Sequence, residues 1–161
     1  MYDLLIKNGR VVDGTGSPAF NADVGIRNGK IAAIGKLSGK LRDDARRTID
    51  AKGQVVAPGF IDSHTHFDAQ VIWDPLCTWS CYHGITTVIT GNCSLGVAPV
   101  RPGTAERLSE FLSYVEAIPM ETLRTVKTTW ESFGEYLDTI DRRLGINVAA
   151  MVGHTPLRYY V

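Results

Sequence analysis

Two stretches decide the fold of this chain: residues 57–70, APGFIDSHTHFDAQ, and residues 84–96, GITTVITGNCSLG. Residues 85–90 are β-branched at every position, which predicts a buried parallel strand. Residues 60–66 form a similar apolar approach to a polar tip. A third apolar strand is predicted over residues 146–152. Each of these strands ends in small or polar residues, as strands do where they lead into functional loops.

Helical spacing lies between the predicted strands. It predicts helices over residues 106–117 and 131–144, and a short helix within residues 67–83. Alternating strands and helices are typical of βαβ units and a parallel sheet, hence of an α/β fold. Three such strands complete neither a closed barrel nor a doubly wound sheet. We therefore expect the chain to be the front portion of a larger protein.

The first fifty residues follow a different pattern, which predicts short antiparallel strands. The turn dipeptides Asn8-Gly9 and Asp13-Gly14 separate apolar runs, and Asn28-Gly29 predicts a hairpin. These strands are too few to cover their own core, so we expect part of a small β-sandwich. On this basis residues 1–53 form a partial sandwich domain and residues 54–161 begin a second domain.

Composition excludes several classes of protein. The 161 residues include 17 basic and 17 acidic side chains, and 44% are hydrophobic. This balance is typical of a folded globular protein, and it argues against binding to nucleic acid, which needs a basic excess. We find neither a signal peptide nor a membrane-spanning run. An odd count of three cysteines favours a reducing compartment, so a cytoplasmic location is expected.

The sharpest chemical feature is the pair His64 and His66. Side chains alternate along a strand, so both imidazoles point the same way and can hold one metal ion. Cys93 follows the next parallel strand, which would bring its thiolate beside them. Two imidazoles and a thiolate form a partial shell for Zn²⁺. The alternative is two surface histidines and a buried, inert cysteine.

Other polar residues have two interpretations each. Residues 51–103 carry few charges, so this segment is expected to be buried, and the charges within it need partners. Asp62 would either orient a ligating imidazole or another polar group near the metal, or form a buried ion pair with an arginine or lysine from the missing part of the protein. Asp68 would support the metal site or cap a helix, and His154, after the third strand, would line the substrate pocket. We interpret Cys77 and Cys81 as packing residues.

At these residues the sequence resembles the amidohydrolase superfamily, and within it the N-acyl-D-amino-acid deacylase (D-aminoacylase) family. Further matching stretches are residues 2–16, YDLLIKNGRVVDGTG, and residues 147–158, NVAAMVGHTPLR. The motif APGFIDSHTH indicates only the superfamily. The sequence GNCS is more specific, because many other amidohydrolases use a carboxylated lysine where this family uses a cysteine.

The resemblance implies a (β/α)₈ TIM-type barrel, of which this chain would hold the first three βα units, and a β-sandwich assembled from both chain termini. It implies hydrolysis of small N-acyl-D-amino acids with one or two zinc ions at the mouth of the barrel. His64, His66 and Cys93 match the family's ligands. An aspartate would move the proton of the attacking water, but it is expected beyond Val161. We therefore name no general acid or base, and we expect the 161 residues alone to be inactive.

Two alternatives stay open at this stage. The parent could be another amidohydrolase that acts on a cyclic amide, like a hydantoinase or dihydroorotase, although the cysteine of GNCS argues against this. It could also be a non-catalytic barrel relative that serves as a scaffold, although the three intact ligands argue against that. A three-strand remnant would expose an apolar sheet edge, so we also expect the isolated chain to self-associate.

Overall fold

The computed structural model describes residues 1–39, 44–142 and 144–161. They form two compact units, Met1–Pro58 and Gly59–Val161. The described part of the first unit is built from strands, and the second unit alternates strands with helices. This is the α/β architecture that the sequence predicts.

A mixed sheet forms the first unit. Its strands are β1 (Tyr2–Val11), β2 (Phe20–Arg27), β3 (Lys30–Gly35), β4 (Ala45–Asp50) and β5 (Val55–Val56). The order is β3-β2-β1-β4, and β5 also pairs with β1. β4 and β5 run parallel to β1, so the prediction of antiparallel strands alone was wrong. Neither strand is joined to β1 by a tight turn, and only a tight turn obliges neighbouring strands to be antiparallel.

The predicted turn at Asn8-Gly9 is also wrong, because β1 continues through it. Asn8 has a φ of +62°, and the register shifts between Ile6 and Gly9, as in a β-bulge. The Asn8 amide donates to Asp23 Oδ1 at 2.9 Å, and its side-chain nitrogen donates to Asp50 Oδ1 at 2.8 Å. Two distant carboxylates therefore stabilise the left-handed residue inside the strand. The hairpin predicted at Asn28-Gly29 is confirmed.

One face of this sheet is apolar. Val11, Ala22 and Val24 are buried on it. Ile31 is nevertheless 66% exposed and Ile34 46% exposed. The sheet thus covers only part of its own apolar surface. That it belongs to a β-sandwich stays a prediction.

A parallel sheet with helices forms the second unit. Its strands are β6 (Phe60–Thr65), β7 (Ile85–Thr90) and β8 (Asn147–Ala150). Its helices are α1 (Gln70–Trp73), α2 (Thr78–Tyr82), α3 (Ala105–Glu116), α4 (Met120–Thr125), α5 (Phe133–Ile140) and α6 (His154–Tyr160). None of the helices in the described residues has the length and apolar character needed to cross a membrane.

The parallel sheet has the order β6-β7-β8, with β7 in the centre. Val88 of β7 is fully buried. β6, by contrast, exposes Phe60 by 65% and Ile61 by 66%. The expectation that this charge-poor segment is buried was wrong for β6, because a strand at the edge of the sheet has a neighbour on one side only.

Helices α3 and α5 cover the sheet through a common apolar core. Leu108 of α3 lies in the same buried cluster as Tyr136 and Ile140 of α5. Leu112 of α3 is buried in a second cluster. α5 is shorter than predicted. It begins after a capping box, in which the Ser132 hydroxyl accepts from the Glu135 amide and the Glu135 side chain accepts from the Ser132 amide.

Glycine is required at the end of β7. Gly91 has a φ of +83°, and a Cβ added there would lie 2.1 Å from the carbonyl oxygen of Met151. The Met151 amide in turn donates to the Thr90 carbonyl at 3.0 Å. The backbones that follow β7 and β8 therefore approach too closely for any larger residue.

Gly103 provides a matched control for this requirement, because its φ is +78° but no atom lies within 4 Å of an added Cβ. We expect Gly103→Ala to lower the free energy of unfolding by about 1–2 kcal/mol through backbone strain alone. Gly91→Ala should lower it by about 2–5 kcal/mol, because steric overlap adds to the same strain. Urea denaturation of both variants measures the difference, and equal losses would contradict the close approach.

Candidate metal centre

Three predicted ligands lie together at one edge of the parallel sheet. The nearest donor atoms of His64, His66 and Cys93 are all within 4.8 Å of one another. The centroids of the two imidazoles are 5.4 Å apart. His64 and Cys93 are exposed, and His66 is partly buried. Such a group of side chains is open on one side to an incoming ion.

The parallel sheet explains why these residues meet. His64 lies near the end of β6, His66 directly follows that strand, and Cys93 comes three residues after β7. Parallel neighbouring strands end at the same edge, so the residues that follow them lie close in space. The Thr65 hydroxyl strengthens this junction by donating to the Ile89 carbonyl at 2.9 Å.

The turn that carries Cys93 is anchored on two sides. Toward β6, the Asn92 side-chain amide donates to the Ser63 carbonyl. Toward α6, the Ser94 carbonyl accepts from the Thr155 amide at 2.9 Å, and the two hydroxyls lie 2.9 Å apart. Ser94 also has a φ of +71°. Cys93 is therefore fixed by its neighbours on both sides in the sequence.

Asp62 is partly buried and acts on the backbone of the histidine pair. Its Oδ1 accepts from the His64 amide at 3.2 Å. This bond is to the main chain from which the His64 side chain projects, and not to an imidazole ring. The ion pair with an arginine or lysine from the missing part of the protein stays a prediction.

Asp68 is only 2% exposed. It does not cap α1, whose N-cap residue is Ala69 and which has no side-chain cap bond, so that alternative was wrong. Burial raises the pKa of the Asp68 carboxyl to about 7, and the negative charge of Glu116 acts in the same direction. The nearby Thr90 side chain opposes this rise in the pKa by hydrogen bonding, but neither Asp68 Oδ2 nor Thr90 Oγ1 makes a hydrogen bond of normal geometry among the described residues.

His154 is the first residue of α6 and lies outside the ligand cluster. Its exposed side chain lines an open cavity of about 370 Å³ together with Phe111, Arg158 and other residues of α6. The role of His154 in a substrate pocket stays a prediction.

The chain is similar in sequence to known hydrolases. Residues 47–161 match the model of the Amidohydrolase family. This chain belongs to the amidohydrolase family. It is 40% identical to a D-aminoacylase of Alcaligenes xylosoxydans xylosoxydans over 98% of the chain and 30% of that protein. It is also 40% identical to an N-acyl-D-glutamate deacylase of the same organism, over 97% of the chain and 29% of that protein.

Solved structures agree with this assignment. A crystal structure of D-aminoacylase matches the whole chain with a TM-score of 0.79 and 37% identity. An N-acyl-D-glutamate deacylase from Bordetella bronchiseptica, complexed with zinc and a phosphonate inhibitor, matches 98% of the chain with a TM-score of 0.78 and 39% identity. The chain covers 31% and 30% of these two structures. The predicted fold class and family resemblance are therefore confirmed.

This amidohydrolase chain has a polar neighbour of the predicted ligands that the sequence analysis missed. Glu116, the last residue of α3, places Oε1 3.6 Å from His66 Nδ1. A signal was available in the sequence, since Glu116 is four residues after Leu112 and continues a stripe of buried leucines. A carboxylate on an apolar helix face needs an explanation.

The three cysteines of the chain are free, but they differ in exposure. Cys77 is 1% exposed, and burial raises the pKa of its thiol to about 11, with a smaller contribution from the charge of Asp74. Cys81 is exposed, and its thiol donates to the Thr78 carbonyl at 3.1 Å. The interpretation of Cys81 as a packing residue was therefore wrong, and that of Cys77 is confirmed.

This difference predicts selective alkylation of the native chain. At pH 8 iodoacetamide should modify Cys81 and Cys93, because both are exposed, and leave Cys77 unmodified, because it is buried and protonated far above that pH. Peptide mass spectrometry after a short reaction measures each site. Denaturation in urea should make all three reactive. Modification of Cys77 at the rate of Cys81 in the folded protein would contradict the structure.

Proposed function

We propose that this chain is the amino-terminal part of a zinc-dependent amidohydrolase that cleaves N-acyl-D-amino acids into a carboxylate and a free D-amino acid. The observation that carries the proposal is the convergence of His64, His66 and Cys93 within 4.8 Å. In this proposal the three parallel strands begin a (β/α)₈ barrel, and residues 1–53 contribute to a β-sandwich. The free cysteines suit a reducing compartment, so we place the enzyme in the cytoplasm.

The donor set fits zinc. Imidazole nitrogen and thiolate sulfur are the ligands that zinc prefers, and tetrahedral coordination puts neighbouring donors about 3.5 Å apart. The observed limit of 4.8 Å is within reach of small side-chain rotations. The buried oxygen atoms of Asp68 and Thr90 make no hydrogen bond of normal geometry among the described residues, and they lie near the same strand ends, where a cation would offset their desolvation. We assign one or two ions to this edge.

Each residue of the chain has a distinct part in this proposal. His64, His66 and Cys93 hold zinc, which when bound polarises a carbonyl and lowers the pKa of water. Asp62 and Asn92 fix the main chain of these ligands. His154 borders the space beside α6 that we assign to the substrate. The general base, an aspartate, is assigned to residues after Val161.

The cyclic-amide alternative is not favoured, since the similarity to N-acyl-D-amino-acid deacylases covers 97–98% of the chain. For the same reason we propose an enzyme rather than a scaffold. If the 161 residues are produced alone, the exposed Phe60 and Ile61 of β6 are the surface through which we propose that they self-associate.

Zinc binding is tested with matched variants of the full-length protein that carries these residues. His64→Ala and Cys93→Ala should each weaken Zn²⁺ binding at least about tenfold, because each removes a ligand. His83→Ala and Cys81→Ala should bind like the wild type. These two controls remove the same residue types from exposed positions at the other end of β7. Chelator competition measures the affinity, and unchanged binding by Cys93→Ala would contradict the assignment.

Substrate class is tested with N-acetyl-D-amino acids, their L enantiomers and hydantoins. The full-length protein should release free amino acid from the D series only. Cys93→Ala should lower kcat/KM by more than about 100-fold, beyond the loss expected for a residue that merely supports a ligand. Release of ninhydrin-reactive amine gives the rate. Ring opening of hydantoins in preference to D-amide hydrolysis would instead favour the alternative enzyme class.

A further inference from the structure

Glutamate is an unfavourable residue at position 116 of α3. α3 buries Leu108 and Leu112, which lie one turn apart, and Glu116 is the next residue on the same stripe. It is also the last residue of the helix, where the negative end of the helix dipole disfavours a carboxylate. Both the apolar stripe and the helix dipole disfavour glutamate at this position, and such conflicts are expected at functional positions.

The contact that accounts for this position is with His66. Glu116 Oε1 lies 3.6 Å from His66 Nδ1, and the two side chains are 26% and 19% exposed. This separation is slightly longer than a hydrogen bond, and a small side-chain rotation would let the neutral imidazole donate from Nδ1 to the carboxylate. At this partial burial the carboxylate is screened less than a surface charge would be.

Imidazole has two nitrogens, and the partner of one decides the role of the other. A carboxylate beside Nδ1 favours the tautomer in which Nδ1 carries the proton, and this leaves the lone pair of Nε2 free for a metal ion. It also restricts rotation of the ring. The preference does not depend on the metal being present.

We infer that Glu116 is a positioning residue, which holds His66 in the tautomer and orientation that present Nε2 to the metal. This inference rests on the proposed function, since it assumes that His66 is a ligand. Glu116 reaches the site from outside the sheet: α3 follows β7, whereas His66 follows β6. The helix would thereby couple the packing of its leucines to the geometry of the metal centre.

The test uses the full-length protein with Zn²⁺ as the probe. Glu116→Ala should raise the dissociation constant for Zn²⁺ by 10- to 100-fold, the range found for carboxylates that support ligating histidines. Glu116→Gln should lose less, because the amide oxygen still accepts a hydrogen bond from Nδ1. Glu110→Ala is the matched control, because Glu110 is an exposed residue of the same helix and should bind Zn²⁺ like the wild type. His66→Ala sets the upper limit of the effect.

A second readout needs no metal. Long-range ¹H–¹⁵N spectra of metal-free protein should show His66 protonated at Nδ1 in the wild type and in Glu110→Ala, and a mixture of tautomers in Glu116→Ala. Thermal unfolding of the variants identifies any general loss of structure. A merely structural role for Glu116 would lower the melting temperature and leave the tautomer unchanged, which would overturn the inference.

The outcomes also separate this inference from the function on which it rests. If His66→Ala weakens Zn²⁺ binding and Glu116→Ala does not, the inference is wrong and the proposed function stands. If His66→Ala itself leaves Zn²⁺ binding unchanged, His66 is not a ligand, and both the ligand assignment and the role of Glu116 are overturned.

Discussion

The contact between the turn after β7 and the backbones on either side of it is the constraint on which the candidate site depends. Gly91 lies against the Met151 carbonyl, and Asn92 donates to the Ser63 carbonyl. The hydrogen bond from Asn92 contributes only about 1 kcal/mol to stability. The main effect of the two contacts is geometric, because together they place the Cys93 thiol beside imidazoles that belong to another strand.

The edge of the sheet that carries the candidate site contains several groups that lower stability. Asp68 and Thr90 bury polar atoms that lack hydrogen bonds, and Ser94 has a left-handed backbone. Groups of this kind cost about 1–3 kcal/mol each. The well-packed part of the unit, around Val88 and Tyr136, offsets such costs. The residues that stabilise this unit and the residues of the candidate site thus lie in different parts of it.

The sequence was most informative where structure is local. Residues 85–90 were predicted as β7 without error, and the proximity of His64, His66 and Cys93 followed from two strand ends and the alternation of side chains. Contacts between distant segments could not be predicted in this way. The bulge at Asn8 depends on carboxylates 15 and 42 residues away. The burial of Asp68 depends likewise on helices whose docking no local pattern specifies.

One hydrogen bond of Tyr136 joins two segments that are synthesised at different times. Its hydroxyl donates to the Asp68 carbonyl at 3.0 Å, across 68 residues of chain. The segment that follows His66 is therefore made long before α5, the helix that supplies its donor. Domains generally fold as units while the ribosome is still extending the chain. A nascent chain that pauses between these points would present the histidine pair at the end of β6 before the hydrogen bond from α5 can form.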